Sequence, residues 1–298
     1  MSVVPAHLEE VTLRATGAVA RRQFISRISR YVLLAASLIG VAILIYLAYE
    51  TLQAGASRVT WHFLTNYPSR FAERAGLRSA IIGSAWTMSF TVVLAFPVAI
   101  GTAVWMEEFA PKNAVLSFVK LNLANLAGVP SIIYGILGLA IFVRFADMGP
   151  SIMAGALTLA LMIIPMTVIA AQEAIKQVPQ SIRDASLAVG ATHWQTVWSH
   201  VLPQALPGIM TGVILAVSRA AGETAALIMI GAFSLILYDN TSPFDSFTTV
   251  PIQIYSWTVR PANLGFQVNA SAAIIVLMAA VLTLNLIAAI IRERFRRE

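Results

Sequence analysis

Residues Glu173 to Pro203, EAIKQVPQSIRDASLAVGATHWQTVWSHVLP, form a polar island about thirty residues long between two strongly apolar segments. Ser181 stands three residues before Asp184, which predicts an N-cap with an acidic residue in the first turn. Gly190 can end that short helix in the left-handed C′ conformation. Thr192, three residues before Gln195, predicts a capping box that opens a second helix. On that helix Trp194, Val197, Trp198 and Val201 recur at i, i+3, i+4 and i+7 as one apolar stripe. Pro203 and Pro207 are expected to close the unit. The prediction is helix, glycine turn, helix, lying on a membrane surface rather than crossing it.

The rest of the chain supplies the membrane. Of 298 residues 58% are hydrophobic and only 11% are charged, against about 25% in a soluble domain, so this is an all-α integral membrane protein. Residues 1–30 read as a polar tail carrying five arginines. Six apolar spans are predicted at about 31–49, 79–105, 122–143, 151–171, 206–237 and 268–291, each near the ~20 residues a bilayer requires. Residues 31–291 thus form one membrane domain that contains the 173–203 loop, and 292–298 form a basic C-terminal tail. The polar, Arg-containing start and the lack of a small-residue cleavage site argue against a signal peptide. There is no cysteine, hence no disulfide framework and no thiolate metal site. The net charge of +6 does not call for nucleic acid, because the arginines lie in short blocks beside apolar spans. With both termini inside, thirteen lysines and arginines flank the spans on the cytoplasmic side and six on the other. That asymmetry predicts that both termini and the 173–203 loop are cytoplasmic.

Asp184-Ala185-Ser186, then Gly190, Ala191, His200 and Leu202-Pro203 at their spacing, resemble the EAA loop of bacterial ABC importer permeases. The resemblance implies the six-helix type I importer permease (MetI-like) fold with a cytoplasmic coupling helix. It implies that Arg183, Asp184, Ala185, Ser186, Gly190, Ala191, Leu202 and Pro203 belong to a segment that docks on an ATP-hydrolysing subunit. Three positions depart from the consensus: Asp184 replaces Glu, Ser186 replaces the second Ala, and His200 replaces an aliphatic residue. An ordinary amphipathic interfacial hairpin is the plain alternative.

The chain has no nucleotide site of its own. Lys112, Lys120 and Lys176 follow Pro111, Val119 and Ile175, so none ends a Gly-x-x-x-x-Gly-Lys motif. His7, His62, His193 and His200 are too scattered to suggest a metal site. Arg219-Ala-Ala-Gly-Glu-Thr224 lies within the fifth predicted span, where a charge costs about 2.5–3.5 kcal/mol even on lenient scales. At i and i+4, Arg219 and Glu223 are expected to share a helical face, either as a pair that merely lets both insert or with Arg219 lining an anion path. Gly208, Gly212, Ala216 and Ala220 form a small-residue ridge suited to close helix packing. Pro97, Pro130 and Pro165 mark helices that can be kinked or broken at depth.

Three stretches narrow the resemblance to phosphate-specific importer permeases of the PstA type: Leu126-Ala-Gly-Val-Pro-Ser-Ile-Ile-Tyr-Gly135, Arg219 to Thr224, and Val250-Pro-Ile-Gln-Ile-Tyr-Ser-Trp-Thr-Val-Arg-Pro261. Ala226, where proline is expected, is a small departure. The resemblance implies a permease subunit in the bacterial inner membrane that performs no covalent chemistry. Its implied partners are a sister permease of PstC type, a PstB-type ATPase dimer holding the ATP and magnesium, and a PstS-type extracytoplasmic phosphate-binding protein. Arg219, Glu223 and Thr224 are its implied substrate-path residues. A permease for molybdate or sulfate, or a membrane relay of phosphate status, are the competing readings.

Overall fold

The computed structural model describes residues 17–233 and 235–297. His7 and Arg14 of the expected tail, Ser234 and Glu298 therefore lie outside the described residues. The helices in chain order are α1 (Ala18–Gly55), α2 (Trp61–Thr65), α3 (Arg78–Val104), α4 (Ala114–Ala127), α5 (Ser131–Gly138), α6 (Ile152–Lys176), α7 (Gln180–Ala188), α8 (His193–Thr196), α9 (Leu202–Ala221), α10 (Ala225–Met229), α11 (Val250–Thr258) and α12 (Phe266–Arg297).

Five stretches are long and apolar enough to cross a membrane: Arg21–Arg58, Arg78–Phe109, Ile152–Lys176, His193–Ala221 and Phe266–Arg294. A sixth exists if the pair Ala114–Ala127 and Ser131–Phe145, bent by 100° at its break, is one span. These coincide with the six expected segments, with several corrections at their ends. The helix expected from residue 31 already begins at Ala18, and α12 runs on to Arg297, so polar residues beside both spans are helical. The third span does not run straight from 122 to 143. Its turn falls at Gly128-Val129-Pro130, where Pro130 cannot donate to the preceding turn and instead starts α5 at φ −57°, ψ 139°.

The chain forms two units, residues 1–50 and 51–298. In the first, α1 presents exposed apolar side chains from Tyr31 to Leu47, and the Tyr46 hydroxyl donates to Glu50 at 2.6 Å. The second is built around α6, two-thirds of whose apolar stretch is buried, whereas α12 is buried only near its start, at Phe266, Asn269, Ala270, Ala272 and Ala273. α6 packs against α3 and α9, with Ile152, Leu159, Ile163, Ala216 and Leu227 in one cluster and Ala99, Ala103, Ala171, Ala174, Ala205 and Ile209 in a second. Alanine dominates because helices in lipid gain by close backbone approach rather than by leaving water. A Cβ on Gly212 would lie 2.5 Å from the Ala170 Cβ, and one on Gly208 would lie 2.7 Å from the Ala174 Cβ. With buried Ala216 and Ala220, those glycines form the edge of α9 that meets α6.

The α3 end carrying Arg78 is closed by loops. Arg58 donates to Asn269 Oδ1 at 2.8 Å and to the carbonyls of Ala72, Glu73 and Ala75, over a core of Phe63, Leu77, Trp257 and Phe266. Arg78 pairs with Asp239, its Nε lying 2.9 and 3.1 Å from the two carboxylate oxygens.

Candidate functional site

Two places hold the residues singled out in the sequence, one near each end of α9. The first is the loop from 173 to 203. Gly190 adopts φ +90°, Ala191 N–H donates to Ser186 O (3.2 Å) and Gly190 N–H to Leu187 O (3.0 Å). This is a Schellman ending, in which only glycine accepts the left-handed turn without strain. Thr192 and Gln195 form the expected capping box. Ser186 and Thr196 face each other across the turn with their hydroxyls 2.9 Å apart and buried, so the serine that departs from the consensus stitches the two helices together.

Three expectations about this loop are corrected. Ser181 is not the N-cap of α7. Pro179 takes that position at φ −59°, ψ 139°, because its ring presets the entry geometry. The apolar stripe divides: Val197 and Val201 are buried, while Trp194 and Trp198 are exposed and stack on each other at 5.9 Å. Nor do Pro203 and Pro207 close the unit. A π-turn at Val197–Val201 leads α8 straight into α9, with Leu202 N–H reaching back five residues to Val197 O. The widened turn admits Pro203, which lacks a donor and would crowd the preceding turn of a regular helix. The loop's second helix is therefore the start of a membrane span. Asp184, which accepts from Gln180 Nε2 at 3.1 Å, and Ala185 are exposed, as are Leu187 and Val189. Leu202 is half-buried and Pro203 exposed.

The second place is where α9 ends. The expected fifth span, 206–237, stops at Ala221: Gly222 breaks it, and α10 begins after Thr224. Arg219 and Glu223 therefore do not share a helical face and form no ion pair. Glu223 Oε1 accepts from Ala226 N–H at 3.2 Å, satisfying the first turn of α10. Arg219 is exposed, its Nη1 3.7 Å from Met166 Sδ, and it pairs with no carboxylate among the described residues. It lies about 26 Å along α9 from Leu202.

The three stretches that carry the narrower resemblance converge here. α5, from the first stretch, packs on α10, which follows directly on the second, so closely that a Cβ on Gly135 would lie 2.7 Å from Ala226 O. Tyr134 donates to Leu126 O at 2.8 Å and braces the bend. Beside the α9–α10 break is a cavity of about 10 Å³, room for roughly one water. Ser84, Thr87, Glu223 and Thr249 line it, the last immediately before the third stretch. Ser84 Oγ accepts from Val250 N–H at 2.9 Å, while the buried Thr249 hydroxyl has no hydrogen-bond partner. Arg219 is not among the residues that line this cavity, and the Thr87 hydroxyl donates to Gly83 O, so the cavity's polar lining is the Glu223 carboxylate with the hydroxyls of Ser84 and Thr249.

Sequence reasoning missed Ser84, Thr87, Thr249 and the pair Glu107-Glu108. Hydroxyls within apolar helices usually bond their own backbone, as Thr87 does to Gly83 O at 2.8 Å, so they leave no mark in the sequence. Two adjacent glutamates at the end of a long apolar helix were a visible signal, since such charges need partners.

The helical bundle, the surface loop between two spans and the broken helices define a membrane permease subunit. Residues 95–298 match the binding-protein-dependent transport system inner membrane component family, and the chain belongs to it as an ABC importer permease. It is 32% identical over 258 residues to the probable ABC transporter permease protein YqgI of Bacillus subtilis, covering 83% of this chain and 88% of that one. It is 28% identical over 268 residues to the phosphate transport system permease protein PstA of Yersinia pestis, covering 89% of each. Its fold is similar to that of a bacterial alginate ABC transporter solved with an alginate-bound periplasmic protein, with a TM-score of 0.65, 17% identity and coverage of 90% and 94%.

Proposed function

We propose that this chain is the PstA-type permease of an ATP-driven phosphate importer in the bacterial inner membrane. The observation that carries the reading is Arg219: an unpaired arginine at a helix break, beside three stretches similar to phosphate permeases. The relatedness to a PstA protein over 89% of the chain supports phosphate over other oxyanions. On this reading the chain pairs with a sister permease, the 173–203 loop docks on a separate ATPase dimer that holds ATP and magnesium, and a binding protein delivers phosphate from outside. Both termini then face the cytoplasm. Arginine's fork offers two parallel N–H donors to phosphate oxygens, and Thr224 is a second polar group at the same helix break.

The experiment is phosphate uptake by the reconstituted complex, normalised to assembled protein. Arg219→Leu and Arg219→Leu with Glu223→Gln are both expected to assemble, hydrolyse ATP and lose uptake. Arg219→Lys is expected to restore part of it, keeping charge without the fork. Near-normal uptake by the double variant would refute the role of Arg219.

A further inference from the structure

α3 does not end as a regular helix. Its last turn, Trp105–Phe109, is a π-turn closed by Ala110 N–H to Trp105 O at 2.8 Å, and it aims two consecutive carboxylates apart. Glu107 meets Lys120 Nζ of α4 at 2.7 Å and Gln172 of α6. Glu108 turns to the loop: Arg183 Nη2 donates to its Oε1 at 2.6 Å and Arg183 Nε to both oxygens at 3.2 and 3.3 Å. The remaining face of that guanidinium donates inward to the carbonyls of Val178 (2.7 Å) and Ile175 (3.2 Å). His193 Nε2 lies 2.7 Å from Glu108 O, tying α8 to the same turn. Only 5% of the Glu108 side chain and 12% of that of Arg183 is exposed. An exposed pair would be loose and screened by salt, but a desolvated, multiply bonded one holds a fixed geometry. Arg183 is thus committed to its own chain and offers little to a docking partner.

We propose that Glu108 is a positioning residue of the transport cycle: by clamping Arg183 it makes the 173–203 loop move as one piece with α3. The other end of α3 lines the polar cavity with Ser84 and Thr87, about 32–36 Å from Glu108 along the helix. Besides the clamp, α7 is held by the Gln177-Val178-Pro179 link, by Ile182 against the second core cluster and, through the Ser186–Thr196 hydroxyls, by α8, itself tied to Glu108 O by His193. The clamp is its one ion pair to α3 among the described residues. The inference rests on the loop being the ATPase dock.

The test replaces both partners with cysteine, Glu108→Cys with Arg183→Cys, in the full complex in proteoliposomes. Removing both charges avoids stranding one in the interior, and the chain has no cysteine of its own. Before bridging, ATP hydrolysis is expected to persist while phosphate moved per ATP falls about ten-fold, the scale of a typical coupling energy. A short reducible cross-linker is expected to restore that ratio, and reduction to remove it again. A parent-like ratio before bridging, or a low one after it, would overturn the clamp. Glu108→Asp, which withdraws the carboxylate but keeps its charge, is the second arm: an unchanged ratio would overturn the clamp as well. Failure of the docking reading shows elsewhere, as normal ATPase recovery and normal uptake in Gly190→Val.

Discussion

At the scale of single residues, Gly190 depends on its backbone, whereas Asp239 and Asp245 depend on their charge. A Cβ added at Gly190 would meet nothing within 4 Å, so the obstacle to substitution is the backbone at φ +90° alone. That conformation costs an L-residue about 1–2 kcal/mol, and a β-branched side chain resists it further. Gly190→Val is expected to leave the spans inserted and the partner permease bound but to lose the ATPase in co-purification, while Gly190→Asn keeps much of it. Asp245 accepts from Ser242 N–H (2.9 Å) and Thr241 N–H (2.8 Å), and these bonds hold its carboxyl below the usual range. Asp239 is lowered first by its hydrogen bonds from Arg78. Because both pKa values are lowered on folding, their stabilisation is complete above the ordinary value of about 3.9 and is lost as pH falls through the lowered values. Protease sensitivity of residues 239–247 should therefore be flat from neutrality down to about pH 5 and rise only below about 4. Asp245→Asn should raise it at neutral pH and flatten the acid step; an unchanged profile would contradict this.

At the scale of elements, the legible features were those written in local chemistry. Gly190, the Thr192–Gln195 box and the six apolar segments follow from turn conformation, capping and bilayer thickness. The breaks were less legible. Residues 206–237 are apolar on either side of Arg219–Thr224, and a single Gly222 is ordinary in a membrane helix, so that short polar segment read as charges within one span rather than as the break between α9 and α10. Pro130 gave notice of a bend but not of 100°. Ser181 lost the cap to Pro179 because a preset backbone competes with a side-chain oxygen at the same turn. The Glu108–Arg183 contact spans 75 residues of sequence, a distance no helical period encodes. The packing of α5 on α10 has its own test. Gly135→Val is expected to drive a side chain into Ala226 O, separate the two broken helices and abolish uptake with insertion intact. Normal uptake would show that the junction tolerates separation.

At the scale of the whole molecule, the proposed orientation places the 173–203 loop inside and the Arg78–Asp239 end outside. Single cysteines at Arg22, Ala188 and Arg296 are expected to resist membrane-impermeant thiol reagents in intact cells, while those at exposed Trp61 and Phe244 react. Labelling at 188 from outside would reverse the topology. The substrate assignment stands or falls on transport by the complete assembly of two permeases, an ATPase dimer and the binding protein in proteoliposomes. The decisive measurement is ATP-dependent accumulation of phosphate beside sulfate and molybdate under identical conditions. Phosphate alone should accumulate, with ATP hydrolysis stimulated by phosphate-loaded binding protein. Accumulation of sulfate or molybdate in its place, or ATP hydrolysis that responds to phosphate without any uptake, would contradict the assignment.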